Sequence, residues 1–555
     1  MNSLWRRCSS LKLRTSPPNF AIVLGALREK RATILAWFLS GAVAMYFEAA
    51  AIAAELREYP GGAAELAKSI MPAIEGMRII RWPADRLDTL GGYLAYHNIV
   101  LFNYFLALFA AVQGARLIRH LEESGTINFY LSATVTRNKL IELRSFAYFI
   151  SQIIISLGLG AGTALALAAE NQSDTYGSFI TLLAGGICIF PFFGAGLLIS
   201  QFVKSSRTAA GITSILVTLI YIFDNIADKY SWLTWFKYLS PFHYANLSRP
   251  VIPGFDTNYW SWFLMLGIGV IFIWASIFLF NKRDISAISI SKLERNHKTK
   301  IGYVPKSAIG DALWRQRYGL IAWIVVTTAF IGVFVALMSG VIDIWKEFSF
   351  LQQFAALGLG DTAAQQYLAM VYEVLPPFIA GFVISQSSKW TLDLTQGRTP
   401  IFLATPISMT RIILNRFLAT LIGTELILLF ALAAVFVGSN IQGIEAHWSG
   451  MWRVFVMCNL FALAFTAITA LLVALLHGKS ATQAISIYVG AAWMIVFMAP
   501  YLKWPSWTVR FSIFDAFGHP FVKWPTTTNF LVIATATAFG VFGSIFISNR
   551  TAKTL

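Results

Sequence analysis

A Gly-Lys-Ser segment is the closest approach to a nucleotide-binding motif in this sequence. Gly478-Lys479-Ser480 has the ending of a phosphate-binding loop, but Val473 stands where that loop requires its first glycine. The segment follows an apolar run that predicts a membrane helix, so the strand that precedes a phosphate loop has no place. The sequence also has no zinc-protease histidine pair and no Gly-x-Ser-x-Gly elbow. We therefore predict no catalytic residue, no metal ligand and no cofactor site in this chain.

A second group of polar side chains lies inside the long apolar runs. A carboxylate or imidazole within a membrane span faces a cavity or a polar partner, because exposing it to lipid is costly. Two interpretations remain open: these residues line a translocation pathway, or they make structural hydrogen bonds between helices. The residues are Glu48, His97, Asn103, Glu373 and Glu425.

Membrane helices are the elements that position these residues. The chain has 555 residues, 57% hydrophobic and 13% charged, which is too apolar for a soluble protein of this length. The apolar residues form runs of about 20, the length that crosses roughly 30 Å of hydrocarbon as a helix. Twelve spans are predicted, at residues 32–54, 94–116, 145–169, 178–201, 210–227, 258–280, 319–341, 368–388, 417–438, 453–475, 482–501 and 529–548.

The net charge of +16 reflects membrane topology. Most of the 43 Lys and Arg residues fall in the segments that are cytoplasmic when both termini are inside, as the positive-inside rule expects. We therefore predict a multi-pass protein of the plasma membrane with both termini cytoplasmic, and no nucleic-acid partner. The N-terminus lacks a cleavable-signal pattern, and residues 19–31 are typical of an amphipathic helix on the inner leaflet.

An internal repeat divides the chain. Two loops align at a constant offset that continues through spans as well as loops, pairing Gly125 with Gly397, Leu131 with Leu403, Lys139 with Arg411, Trp235 with Trp507 and Phe242 with Phe514. Each copy holds an even number of spans, so both point the same way. The predicted fold is an all-α polytopic membrane protein with twelve transmembrane helices as two parallel six-helix repeats. The domains are 1–280, a cytoplasmic linker 281–306, and 307–555.

The two repeated loops each predict a short helix beside the membrane. In the second loop a threonine caps a helix that begins with proline, a second proline ends it, and a serine caps the next span. The first loop has the same order without the prolines. Docking of a cytosolic partner and simple contact with the lipid surface are both compatible with this pattern. The residues concerned are Ile127, Tyr130, Leu131 and Thr136 in the first loop, and Thr399, Pro400, Phe402, Leu403, Pro406 and Ser408 in the second.

In these features the sequence resembles the ABC-2 class of ABC exporter permeases. Residues 403–408, Leu-Ala-Thr-Pro-Ile-Ser, are close to that family's Leu-x-Thr-Pro-[Val/Ile]-[Ser/Thr] signature, and residues 131–136 are a degenerate copy without the proline. Tyr238 to Tyr244 is similar to the family's Leu-Ser-Pro-Phe segment. The tandem arrangement resembles the twelve-span permeases that export polyketide antibiotics, the tetronasin type.

This resemblance implies that residues 125–139 and 397–411 are coupling helices. They would contact cytosolic ATP-binding subunits, expected in two copies, which would hold the ATP and Mg. The chain would then be the permease of an ATP-driven exporter of an amphipathic or hydrophobic small molecule, such as an antibiotic or a lipid, and not itself an enzyme.

Two other classes remain open. One is a proton-coupled secondary transporter of the six-plus-six class, although the loop at 117–144 lacks the Gly-x-x-x-Asp-Arg-x-Gly-Arg type motif expected there. The other is a membrane-embedded enzyme, which would need paired acids in the outer loops, and no such pairing is readable.

Overall fold

The computed structural model describes residues 18–58, 62–76, 78, 81–132, 135–203, 205–227, 229–283, 307–336, 338–339, 342, 362–395, 408–476, 479–499, 504–510 and 512–552. Within these ranges the regular structure is helical, without strands. Internal contacts divide the chain into two compact units, Met1–Lys298 and Thr299–Leu555.

The first unit contains long helices joined by short ones. Helix α3 includes a π-helical turn at Ala95–Ile99, and α7 is interrupted at Ile189. A 3-10 helix, Ser231–Leu239, precedes α9. The helices are α1 (Pro18–Glu58), α2 (Gly62–Gly76), α3 (Leu90–Arg116), α4 (Arg119–Glu123), α5 (Ile127–Ser132), α6 (Arg137–Ala169), α7 (Thr175–Ile199), α8 (Ser206–Ile226), α9 (Pro241–Asn246) and α10 (Tyr259–Lys282).

The second unit has a similar order of long and short helices. They are α11 (Ala308–Ala336), α12 (Ala363–Glu373), α13 (Leu375–Thr395), α14 (Met409–Ile441), α15 (Trp448–Leu476), α16 (Lys479–Met498), α17 (Ser506–Val509), α18 (Ile513–Phe517) and α19 (Thr527–Ala552).

Eleven membrane-spanning candidates are present in the described part of the chain. They agree with eleven of the predicted spans to within a few turns. The exception is the predicted span 482–501: α16 covers most of it, but its apolar stretch is the shorter Ala481–Val496. The structure therefore supports a multi-pass helical membrane protein, while the twelve-span arrangement stays a prediction.

Two predicted helix boundaries differ from the structure. The predicted surface helix 19–31 is not separate from the first span, because α1 runs without a break from Pro18 to Glu58. The predicted span 368–388 is divided at Val374 into α12 and α13. Pro376 and Pro377 explain the division, since proline is accommodated in the first turn of a helix and disrupts a helix interior.

The same pairs of helices pack together within each unit. The first span lies along the third (α1 on α6, α11 on α14), and the fourth lies along the sixth (α7 on α10, α15 on α19). Small residues allow some of these close approaches, as is usual between membrane helices. A Cβ atom on Gly162 of α6 would lie 2.2 Å from the carbonyl oxygen of Ala42 on α1, so only glycine fits there.

Helix α6 and helix α14 begin and end at positions that the repeat pairs with each other. Each is 33 residues long. The Thr136 hydroxyl accepts from the Lys139 amide, and the Ser408 hydroxyl accepts from the Arg411 amide. The paired residues Asn171 and Gly443 follow the two helices with positive φ. These shared details favour the predicted duplication.

Candidate functional site

The candidate site lies at one end of the first unit, which we call the loop end. Here α3 stops at Arg116, and the short helices α4 and α5 lead into α6. Gly125 turns the chain between α4 and α5 with a φ of +71°, a conformation that glycine adopts without a steric penalty. The last turns of α7 and α10 and the first turn of α8 meet the same segment.

A buried ionic cluster fixes α4 at the loop end. Glu122 accepts from Arg119 at 2.7 Å and from Arg283 at 2.7 Å, and all three side chains are 5–7% exposed. Arg119 also donates from Nε and Nη2 to the Ser200 carbonyl at the end of α7, and Arg283 donates to Gln201 at 3.2 Å. Burial lowers the pKa of Arg119, and the Glu122 carboxylate opposes that shift. The cluster thus joins α4 to the ends of α7 and α10.

Two further contacts extend this linkage. The Glu123 carboxylate accepts from the Ser206 amide at 2.6 Å and from its hydroxyl at 2.7 Å, which satisfies a donor at the N-terminus of α8. Arg137 in the first turn of α6 donates to the carbonyls of Phe280 and Arg283. The loop 117–136 is therefore attached to the ends of α7, α8 and α10, and the start of α6 is attached to α10 beside it.

Helix α5, one of the two predicted docking helices, has an inner and an outer face. Ile127 is 1% exposed, whereas Phe129 is 77% exposed. Residues two apart on a helix point about 200° apart, so these two side chains lie on opposite faces. Tyr130 and Leu131 are half-buried, and the Tyr130 hydroxyl accepts from Arg144 at 3.4 Å. Phe129 is the most exposed large apolar group of this helix.

The docking residues predicted in the second half lie mostly outside the described residues. Ser408 is described, and it caps α14 as predicted. The others are Thr399, Pro400, Phe402, Leu403 and Pro406.

Two of the predicted pathway residues, Glu48 and His97, share the neighbour Arg81 in the first unit. The His97 Nδ1 atom lies 2.9 Å from Arg81 Nη1, and its ring stacks on Tyr93. The Glu48 carboxylate on α1 also interacts electrostatically with Arg81. Asn103 lies farther along α3, 5% exposed, where its side chain would contact a Cβ atom on Gly185. His97 and Glu48 thus interact with Arg81 in the loop before α3, and the pathway role of all three predicted residues remains a prediction.

The predicted pathway residues of the second unit are separate from each other. Glu373, the last residue of α12, pairs with His519. Glu425 is half-buried in the middle of α14. The structure therefore gives Glu373 a polar partner and leaves its transport role a prediction.

Sequence reasoning missed several of the residues that organise these contacts. Arg81 and His519 lie in loops, and nothing in the sequence places them against Glu48 and Glu373. Phe129 was missed because the six residues of α5 carry too little periodicity to show which face is buried. Arg119 and Glu122 are three residues apart, a spacing at which helical side chains can pair. Arg283 gave no signal in the sequence, because its contact with Glu122 joins distant parts of the chain.

Comparison with known families assigns both halves to transport. Residues 30–285 match the family described as ABC-2 family transporter protein. Residues 306–546 match the family described as multidrug efflux system permease Rv1217c, C-terminal domain. The chain carries two transporter permease domains. No curated protein matches it, and the narrower resemblance to polyketide-antibiotic exporters stays a prediction.

Proposed function

We propose that this permease is the membrane subunit of an ATP-driven exporter and that the loop end of its first unit binds a separate ATP-binding subunit. The observation that carries the proposal is α5. In this helix Phe129 is exposed, while the opposite face is buried and the preceding segment is attached to the membrane helices. A helix held in this way can receive force from a partner and pass it to the spans.

The substrate that fits this proposal is an amphipathic or hydrophobic small molecule. The match of the second half to a multidrug efflux permease family favours a drug-like compound over an ion or a sugar. The loop end is cytoplasmic in this proposal, because the basic residues of the first unit concentrate there. The protein would work in the plasma membrane with two ATP-binding subunits, which supply the ATP and Mg.

The first test is ATP hydrolysis. The purified chain and its complex with a co-expressed ATP-binding subunit are assayed in liposomes. We expect hydrolysis from the complex and none from the chain alone. ATP hydrolysis by the isolated chain would contradict the proposal. Substrate uptake by the isolated chain, driven by a proton gradient, would favour the secondary-transporter class.

The second test is co-purification of the ATP-binding subunit with a Phe129→Asp variant. Because Phe129 is solvent-exposed, the substitution should leave thermal melting unchanged while weakening the complex. The matched control is Tyr176→Asp, which changes an exposed aromatic residue of the same unit at the start of α7, far from α5 in sequence. Equal recovery of the ATP-binding subunit with both variants would show that α5 is not its docking site.

A further inference from the structure

A cavity of 40 Å³ lies among α1, α3 and α6 at the loop end. Helix α1 packs along α6, whereas α3 packs mainly on α7 and α8. A volume of this size holds about three water-sized groups, which corresponds to one carboxylate or phosphate group. The cavity is partly open, so a ligand can enter it.

The described lining of the cavity is cationic and polar. Lys30 on α1 and Arg144 on α6 both line it, together with Gln113 on α3 and Ser151 on α6, and no carboxylate is among its described lining residues. Lysine and arginine side chains donate hydrogen bonds and accept none. The lining therefore favours an anionic occupant that accepts hydrogen bonds.

Arg144 gives the cavity a donor that the described protein does not satisfy. Its side chain is 6% exposed. Its Nη2 atom donates to Glu29 and its Nη1 atom to Tyr130, while the buried Nε atom has no hydrogen-bond partner among the described residues. A buried donor without an acceptor is unfavourable, so the guanidinium has hydrogen-bonding capacity that Glu29 and Tyr130 do not use.

The other wall of the cavity is apolar. Phe109 on α3 and Ile34 on α1 belong to the lining, and the Phe109 ring lies 5.3 Å from Trp37 and 6.3 Å from Tyr148 between ring centres. These groups cover the side nearest the membrane interior. A cavity with one polar and one aromatic side suits a molecule with a charged head and a hydrocarbon chain.

We propose that this cavity binds the anionic head, a carboxylate or a phosphate, of an amphiphile whose hydrocarbon chain stays in the adjoining leaflet. The bound head contacts Arg144, whose guanidinium also holds Tyr130 of α5. An occupied site therefore touches the residue that positions the docking helix. The proposal concerns binding to this chain alone and does not depend on the identity of an ATP-binding partner.

The test is photolabelling of the full chain in lipid nanodiscs. Three probes carry a diazirine on the hydrocarbon chain: palmitic acid, phosphatidylglycerol and, as the neutral analogue, hexadecanol. We expect an anionic probe to label peptides that contain Phe109 or Tyr148, and hexadecanol to label them weakly. Labelling by palmitic acid would identify a free acid as the ligand, and labelling by phosphatidylglycerol would identify a membrane lipid.

Charge variants make the result specific. Lys30→Gln should lower labelling about tenfold, the effect of losing one charge-assisted hydrogen bond. Arg28→Gln, the matched control, removes the same charge from an exposed position on the same helix and should have no effect. If Lys30→Gln lowers the melting temperature, the variant Gln113→Leu is tested instead. It removes a polar lining group at similar volume, and we expect the same loss of labelling.

Three results would overturn the proposal. They are equal labelling by hexadecanol, unchanged labelling in a stably folded Lys30→Gln or Gln113→Leu variant, and failure of both anionic probes to label the two peptides. Because the assay contains no ATP-binding subunit, each of these results would leave the proposed export function untouched.

Discussion

The two halves of the chain differ in the residue types available to restrain the loop between their second and third spans. In the first half, buried charges attach the loop to distant helices through Glu122. At the positions that the repeat aligns with Arg119, Glu122 and Glu123, the second half has Thr391, Leu394 and Thr395. The second loop instead has prolines.

The two sequences offer two physical means of restraining a loop. An ion cluster restrains the loop by tertiary contacts, which act only when the distant helices are in place. Prolines restrain it locally, because Pro400 and Pro406 limit the backbone whatever surrounds them. The degenerate first copy of the signature, Leu131 to Thr136, therefore has a replacement for its missing proline in the charges that precede it. We expect the two loops to respond differently to mutation.

The largest expected effect comes from removing Glu122. Glu122→Leu leaves Arg119 and Arg283 buried without their carboxylate, which typically costs about 3–5 kcal/mol. The melting temperature of the purified protein should fall strongly. Glu142→Leu is the matched control, since Glu142 is exposed on α6.

Replacing the whole cluster separates charge from packing. The triple variant Arg119→Met, Glu122→Leu, Arg283→Met removes the buried charges together, and such replacements are often close to neutral. Its melting temperature should recover toward that of the native chain. If Glu122→Leu alone melts normally, the cluster does not hold the loop end.

The second prediction compares the docking helices directly. Phe129→Asp in the first loop and Phe402→Asp or Leu403→Asp in the second each remove an apolar anchor, worth roughly 1.5–3 kcal/mol when buried in a partner. Binding of the ATP-binding subunit should weaken at least about tenfold. We expect the second loop to be more sensitive, because Pro406 fixes its end.

Ile127→Asp changes the buried face of the same helix, and we expect it to affect folding as well as docking. Ile127 is 1% exposed, so a buried carboxylate there should lower thermal stability instead of affecting docking alone. Normal co-purification and transport from the double variant Phe129→Asp, Phe402→Asp would show that both loops merely lie on the membrane.

The sequence predicted more of the fold than of the site. Spans can be predicted from sequence because their apolar runs are continuous. The caps Thr136 and Ser408 can be predicted because capping depends on neighbouring residues. The ionic cluster cannot be predicted from sequence, because Glu122 and Arg283 are 161 positions apart. The inner and outer faces of α5 are also hidden, since six residues carry too little periodicity to orient a helix.

The same limit applies to the polar residues in the spans. The sequence identifies Glu48 and His97 as residues that need a polar partner, because lipid cannot satisfy them. Their shared neighbour Arg81 lies in a loop whose path over the helices is set by tertiary packing. The sequence thus identifies which residues in the spans require a polar partner, and the structure identifies that partner.

A smaller effect is expected at Glu123. Glu123→Gln keeps an acceptor for the Ser206 donors but removes the charge at the N-terminus of α8. Because Glu123 is exposed, we expect a loss of about 1 kcal/mol. Chemical denaturation of the detergent-solubilised protein measures it. A loss as large as that of Glu122→Leu would mean that the cap, and not the buried cluster, is the main attachment of the loop.

The smallest effect is expected at Glu29, which pairs with Arg144 at 2.8 Å but is 43% exposed. Glu29→Gln keeps a hydrogen-bond acceptor and loses a charge that water already screens, so we expect less than about 1 kcal/mol. Raising the salt concentration should abolish this difference, because exposed ion pairs are screened. The loss in Glu122→Leu should persist in the same salt, because its partners are 5–7% exposed. A salt-insensitive loss at Glu29 would show that burial of Arg144, and not exposure of its partner, sets the strength of the pair.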